Sequence, residues 1–282
     1  MFVDSHCHLH DAAFAGDLDA VLQRARDAGV ARVITIGTSV TESRAALKLA
    51  SAHAEIWATV GVAPHDEQPF SNETLDTLRA LAQLPRVVAV GECGLDYHYD
   101  TVPRPEQRAV FAKQLALASE LGKPVVIHNR DADADMLSML REFAAQCRGA
   151  RAQLPALRPG PDPASGQEYA LGVMHCFSGD VALAENCAAL GFRISLAGPL
   201  TYPKPRALPA VARALPLAAL LVETDAPYLA PQGQRGKRNE PAHVRAVAQK
   251  IAELRGETVE TIAAATSHNA IALFGLDKLP AA

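Results

Sequence analysis

Six side chains that bind metals readily recur at the ends of short apolar runs. They are His6 and His8 in MFVDSHCH, Glu92 in VVAVGECG, His128 in PVVIH, His175 in GVMH and Asp225 in LLVETD. Two histidines two positions apart on an extended backbone project to one side, so His6 and His8 can grip one ion. Glu92 follows a run that would bury it, where an unpaired carboxylate is costly and cations would stabilise it. Its two oxygens can bridge two ions, with His128 and His175 as ligands of the second. Asp225 is placed to touch both metal and attacking water, hence general base. Asp4 and Glu223, each two residues before a ligand, are expected to orient ligands rather than bind metal. Mixed imidazole and carboxylate donors suit Zn, Mn or Fe by softness, and Mg less well. Two such ions about 3.5–4 Å apart would activate water and hold a phosphate oxygen, which is two-metal hydrolysis. Each residue alone has a plainer reading, as a chance H-x-H, a salt-bridged glutamate or a hydrogen-bonded core histidine. Repetition at equivalent positions favours the metal.

Residues this far apart in sequence can meet only if the fold gathers their strand ends. Apolar runs bounded by turn residues predict eight strands, at 2–5, 32–36, 56–62, 87–91, 124–127, 172–174, 192–196 and 220–223. Near-continuous apolarity, as in VVAVG, is expected of parallel strands covered on both sides. Amphipathic patterns predict helices between them, at 17–28, 41–53, 72–83, 106–121, 131–147, 181–190, 205–215, 241–254 and 259–265. Strict alternation through eight units points to an α/β fold, a (β/α)8 TIM barrel in which every strand opens onto one face. The whole chain, 1–282, reads as a single domain. A Pro- and Gly-rich stretch at 148–167 reads as a surface loop insertion on the face opposite the strand tips.

A net charge of −4 excludes a global pull toward nucleic acid, so any such binding must rest on local charge or metal. No run is long and apolar enough for a membrane span, and the first strand starts too early for a signal peptide. A cytoplasmic protein is therefore expected. The five cysteines lack a C-x-x-C spacing, so neither a disulfide framework nor a zinc knuckle is expected. Cys7, Cys93 and Cys176 adjoin suspected ligands and should face the helix layer as small apolar fillers.

Local charge narrows the substrate. Arg235, Lys237 and Arg238 lie in the loop after the eighth strand, on the catalytic face. Three cations beside a metal pair suggest a phosphate backbone. Arg130 is a candidate for phosphate contact, and Tyr97 or Phe177 for stacking on bases. His65, in GVAPHD after the third strand, is a candidate acid for the leaving oxygen or a phosphate contact. His10, His53, His98, His243 and His268 are read as structural.

The ordered motifs DSHCHL, GECGLDYH, IHNRDA, HCFSG, ETDAPYLAP and RNEP resemble the TatD family of metal-dependent deoxyribonucleases, from residue 2 to the NAIALFG segment. The resemblance implies an amidohydrolase-type TIM barrel with two divalent metal ions (Mg, Mn or Zn). It implies hydrolysis of DNA phosphodiesters, often as a 3′→5′ exonuclease, with DNA as the partner. It also implies that His6, His8, Glu92 and Asp225 hold one ion and that Glu92, His128 and His175 hold the other. The chain departs from the family's G-[LIV]-H-P-[HY] after the third strand, where Ala63 replaces the first histidine. Rate or substrate differs if that histidine normally supplies the acid. Two other readings compete: a barrel hydrolase of a small ester, amide, lactone or phosphate ester, and a metal-binding interaction protein that has lost catalysis. The same ligands would serve the first, because fold and metals do not fix substrate.

Overall fold

The computed structural model describes residues 1–99, 101–150 and 170–276. Eight strands form one parallel sheet: β1 (Phe2–Cys7), β2 (Val30–Thr35), β3 (Ile56–Val60), β4 (Val87–Asp96), β5 (Val125–Arg130), β6 (Gly172–Met174), β7 (Phe192–Leu196) and β8 (Leu220–Val222). They neighbour one another in chain order. The Asp225 N–H donates to the His6 carbonyl (2.9 Å) and the His8 N–H to that of Ala226 (2.6 Å), which brings the last strand back to the first. The helices are α1 (Leu18–Asp27), α2 (Val40–Ala52), α3 (Asn72–Ala82), α4 (Arg104–Leu121), α5 (Asp133–Ala150), α6 (Val181–Leu190), α7 (Leu208–Ala214), α8 (Val244–Arg255) and α9 (Val259–Phe274). The chain folds as a (β/α)8 TIM barrel. Residues 148–150 complete α5, and the rest of the expected 148–167 insertion lies outside the described residues. Among the described residues no helix is long and apolar enough to cross a membrane.

Several helices begin where the sequence supplies a cap. The side chains of Ser39, Ser71, Asp180 and Thr258 accept the N–H groups of Glu42, Thr74, Leu183 and Thr261. Each cap contributes about 1 kcal/mol. The apolar side chains then divide into two layers. Outward residues such as Cys7, Val60, Val90, Cys93 and Ile127 pack against Val21, Phe111, Met136 and Val247 from the helices. Inward residues Val3, Ile34, Val88, Val126, Val173 and Leu221 pack with Ala270, Leu273 and Phe274 of α9. The last helix therefore plugs the end of the barrel opposite the strand tips.

That plug explains one departure from expectation. The predicted helix at 259–265 runs on to Phe274, and its buried residues include Thr266, Ser267, Asn269 and Ala270 as well as Leu273. A helix buried on more than one side shows little amphipathic period, so its true end is hidden in the sequence. A second departure matters for function. β4 continues five residues beyond its predicted end and β5 three, so Glu92 and His128 lie inside strands rather than after them. Gly91 and Gly94 permit this. A Cβ at Gly94 would collide with the His128 carbonyl and one at Gly91 with that of Val126. Only glycine lets β4 pass so close to β5 on both sides of Glu92.

Candidate metal centre

All six expected ligands converge on the mouth of the barrel. His6 Nε2 lies 3.3 Å from His8 Nε2, 3.4 Å from Glu92 Oε2 and 3.5 Å from Asp225 Oδ1. His8 Nε2 is 3.3 Å from the same Asp225 oxygen. On the other side, Glu92 Oε1 lies 3.1 Å from His128 Nδ1 and 3.2 Å from His175 Nε2, and those two nitrogens are 3.3 Å apart. One carboxylate thus turns one oxygen to each of two donor groups. Donors on neighbouring vertices of a tetrahedral site with bonds of 2.0–2.1 Å are about 3.3–3.4 Å apart. The observed spacings fit that edge, and the donor chemistry fits a borderline divalent cation.

The charge balance points the same way. Burial pushes the Glu92 carboxyl up, but the charge on His175 and hydrogen bonds from His128, His175 and His6 outweigh it and hold it well below the usual range. Burial pushes the His175 imidazole down, and Glu92 with Glu223 carries it well above its usual value. Burial likewise opposes charge on His128, which Asp96 and Glu92 nevertheless raise. This pocket demands positive charge at its centre, from protons or from cations.

Surrounding groups aim the donors. The His128 Nε2–H donates to Asp96 Oδ2 (2.9 Å), which leaves the Nδ1 lone pair facing Glu92 and His175. Asp96 is itself fixed, its Oδ1 accepting the N–H groups of His98 (2.9 Å) and Tyr99 (3.1 Å). Sequence reasoning missed Asp96. Glu223 Oε1 lies 3.5 Å from His175 Nδ1 and accepts the Cys176 N–H at 2.5 Å. The His6 and His175 rings stack with centroids 3.9 Å apart. Asp4 differs from expectation: it touches no ligand ring. Its Oδ2 accepts the Thr224 hydroxyl (2.6 Å) and its Oδ1 the Thr224 N–H (2.9 Å), tying β1 to the chain after β8. Asp225 adopts φ 58, a left-handed conformation uncommon outside glycine and costly enough to mark functional positions.

Around the pocket the outcome is mixed. His65 is exposed, with its ring centroid 6.0 Å from that of His128. Ala63 is buried, and its N–H donates to the Thr38 carbonyl. Arg130 lies over the exposed ring of Tyr99, 4.7 Å from the centroid. Tyr97 is a correction: its hydroxyl donates to Asp135 Oδ2 (2.6 Å) and it packs against the helix layer, on the strand face opposite Glu92. Phe177 is buried in the outer core. Arg235 and Lys237 are exposed on the loop after β8. Arg238 is a second correction. It donates to both oxygens of Asp17 (2.7 and 2.8 Å) and to Glu240 (2.9 Å), anchoring the loop rather than facing phosphate. Its neighbour Asn239 is buried and donates to the carbonyls of Thr224 and Tyr228, which fixes the chain carrying Asp225. Cys7 and Cys93 face the helix layer as expected, and burial pushes both thiols up. Cys176 does not: it lies past the end of β6 at φ 42, where strand alternation no longer applies.

Known proteins resemble this chain in sequence and in fold. A family model described as TatD related DNase matches residues 3–275. The 3′-5′ ssDNA/RNA exonuclease TatD of Erwinia amylovora is 39% identical over 279 residues, covering 97% of this chain and 99% of that protein. The uncharacterized metal-dependent hydrolase YabD of Bacillus subtilis is 36% identical over 277 residues, covering 98% and 100%. Among solved structures, YjjV, a TatD homolog from Escherichia coli K12, superposes with a TM-score of 0.85 at 32% identity, covering 99% of this chain and 98% of that one. By sequence over nearly its full length, and by fold, this chain belongs to the TatD-related DNase family.

Proposed function

We propose that this protein is a metal-dependent hydrolase of nucleic-acid phosphodiester bonds, acting as a 3′→5′ exonuclease on single strands in the cytoplasm. In this reading His6, His8, Glu92 and Asp225 hold one divalent cation, and Glu92, His128 and His175 hold a second, the ions being Mg, Mn or Zn. The single observation that carries it is the Glu92 carboxylate, with Oε2 turned to His6 and Oε1 to His128 and His175. The nucleic-acid substrate rests on the Erwinia relative named for that activity.

Held by these residues, divalent cations would supply Lewis acidity, easing the ionisation of water and offsetting phosphoryl charge. The chain's own groups do the rest. Asp225 faces the pocket beside His6 and His8 and accepts the proton of the attacking water. Asp96 holds His128 in the tautomer that presents a lone pair to the pocket, and the Glu223 carboxylate stands 3.5 Å from His175 Nδ1, on the side of that ring away from Glu92. His65, at the edge of His128, gives a proton to the departing oxygen. Arg130, Arg235 and Lys237 hold phosphates of the strand, as exposed or half-exposed cations on the face where the pocket opens.

The test is hydrolysis of a 3′-labelled single-stranded oligonucleotide, beside a panel of small esters, lactones and amides. Stepwise release of 3′ nucleotides is expected, together with a turnover loss of about 100-fold or more in Asp225→Asn. Turnover of the small substrates alone would overturn the nuclease reading, and wild-type turnover in Asp225→Asn would remove it as the base.

A further inference from the structure

The mouth of the barrel is electrostatically two-sided. The segments after β1, β2 and β3 (residues 8–17, 36–43 and 61–71) contain no lysine or arginine but carry Asp11, Glu42, Asp66 and Glu67, besides Asp17, whose charge Arg238 and Arg24 neutralise. The loops after β7 and β8 carry Lys204, Arg206, Arg235 and Lys237, all exposed. A polyanion is repelled by the first side and drawn to the second.

On the second side the loops after β6 and β7 enclose a cleft of about 200 Å3, lined by Ser178, Pro199, Tyr202, Lys204, Arg206 and Leu208. Ser178, three residues beyond His175, and the segment after β7 put the cleft at the strand tips, the face of the barrel on which the pocket opens. Its floor is fixed: the Tyr202 hydroxyl donates to the Ala230 carbonyl (3.2 Å), and Thr201 Oγ1 accepts the Gln232 N–H (2.8 Å). Arg235 lies 4.6 Å from the centroid of the Tyr202 ring. Arg235 thus covers one face of the aromatic ring that borders the cleft while its guanidinium edge stays exposed for phosphate. The volume is below the roughly 300 Å3 of pockets that enclose drug-sized ligands. It suits one ring system rather than a base pair.

We propose that this cleft is a nucleotide subsite for the residue next to the scissile phosphate, with its base against Tyr202 and its phosphate between Lys204 and Arg206. Aromatic ring plus paired cations is the chemistry that takes one nucleotide of a single strand. The proposal rests on the nuclease reading above, and it makes Tyr202, Lys204 and Arg206 determinants of polynucleotide over small-ester substrates.

The test compares a 3′-labelled oligothymidylate with bis(p-nitrophenyl) phosphate, a phosphodiester with no second nucleotide. In the Lys204→Ala/Arg206→Ala protein, kcat/KM for the oligonucleotide should fall about tenfold or more relative to that for the small ester. The slope of log kcat/KM against log salt should become shallower by about 0.7, the value for one single-strand phosphate. Tyr202→Leu should shift the same ratio by about fivefold or more, while Tyr202→Phe keeps the ring and loses only the bond to Ala230. If Tyr202→Phe lowers the ratio as much as Tyr202→Leu, the ring is a strut and not a stacking surface. A wild-type nuclease whose ratio and salt slope survive the double substitution overturns the cleft alone. Wild-type protein that cleaves the small ester and no oligonucleotide overturns the nuclease reading, and the subsite falls with it.

Discussion

Asp96 offers the sharpest test of how the pocket is aimed. In Asp96→Asn the amide oxygen must stay where Oδ1 is, because the N–H groups of His98 and Tyr99 converge there. The amide nitrogen is then forced onto the 2.9 Å contact with His128 Nε2 and presents a hydrogen to it. To accept that hydrogen, His128 must move its proton to Nδ1, the atom 3.1 Å from Glu92 that has to offer a lone pair. The variant therefore stabilises the tautomer that cannot bind metal. Asp96→Ala only removes the partner and lets solvent replace it. A charge-assisted hydrogen bond contributes about 1.5–3 kcal/mol, and loss of a group orienting a ligand histidine costs about 10- to 100-fold in metal affinity. Asn is expected near the upper end and Ala near the lower. Calorimetric titration of metal-free protein with Zn or Mn should show one weakened site and one that keeps its affinity, because His6, His8 and Asp225 do not touch Asp96. Equal weakening of both sites, or a milder effect of Asn than of Ala, would refute the tautomer argument.

Three further outcomes follow from the same geometry. Dialysis against a chelator should abolish hydrolysis and lower Tm, with Mn, Mg or Zn restoring both; saturation at 100 times Kd contributes about 2.7 kcal/mol per site, and an unchanged Tm would contradict it. His65→Gln should slow oligonucleotide cleavage by about 100-fold but slow a p-nitrophenyl ester far less, since that leaving group needs no proton; equal slowing would deny His65 the acid role. Asp17 is held down to about 2 by hydrogen bonds from Arg238 and Arg24. Its folded pKa lies below its unfolded one, so its contribution is complete above about pH 4 and lost as pH falls through 2. The Tm gap between wild type and Asp17→Asn should therefore close toward pH 2, and a constant gap would show that Asp17 acts without its charge.

The ligands were legible because strands covered on both faces are written as apolar runs, which makes any His, Glu or Asp at their ends conspicuous. What escaped lay where strand ends were misjudged. With β4 taken to stop at Gly91, Asp96 read as loop; in the structure the ladder continues and pairs Gly94 with His128 and Asp96 with Arg130. Alternation along that longer strand would have settled Tyr97 as well. Glu92 and Asp96 share one face, so Cys93, Leu95 and Tyr97 belong to the other, where they pack against the helices. Arg238 was misread for a different reason. Charge in a loop was counted without its partners, Glu240 two residues on and Asp17 221 residues away in the chain. The glutamate was a local sign that this cation fastens the loop; the aspartate left none. Asn239, adjacent to it, is a further case: its importance comes from two backbone carbonyls that only the folded chain brings within reach.

One glutamate serving two cations at the barrel mouth would be visible in a crystal structure of the protein loaded with Mn, with the ions located by anomalous scattering. Two peaks are expected about 3.5–4 Å apart, one between Glu92 Oε2, His6, His8 and Asp225 and the other between Glu92 Oε1, His128 and His175. A single peak, or two peaks of which neither touches Glu92, would contradict the account.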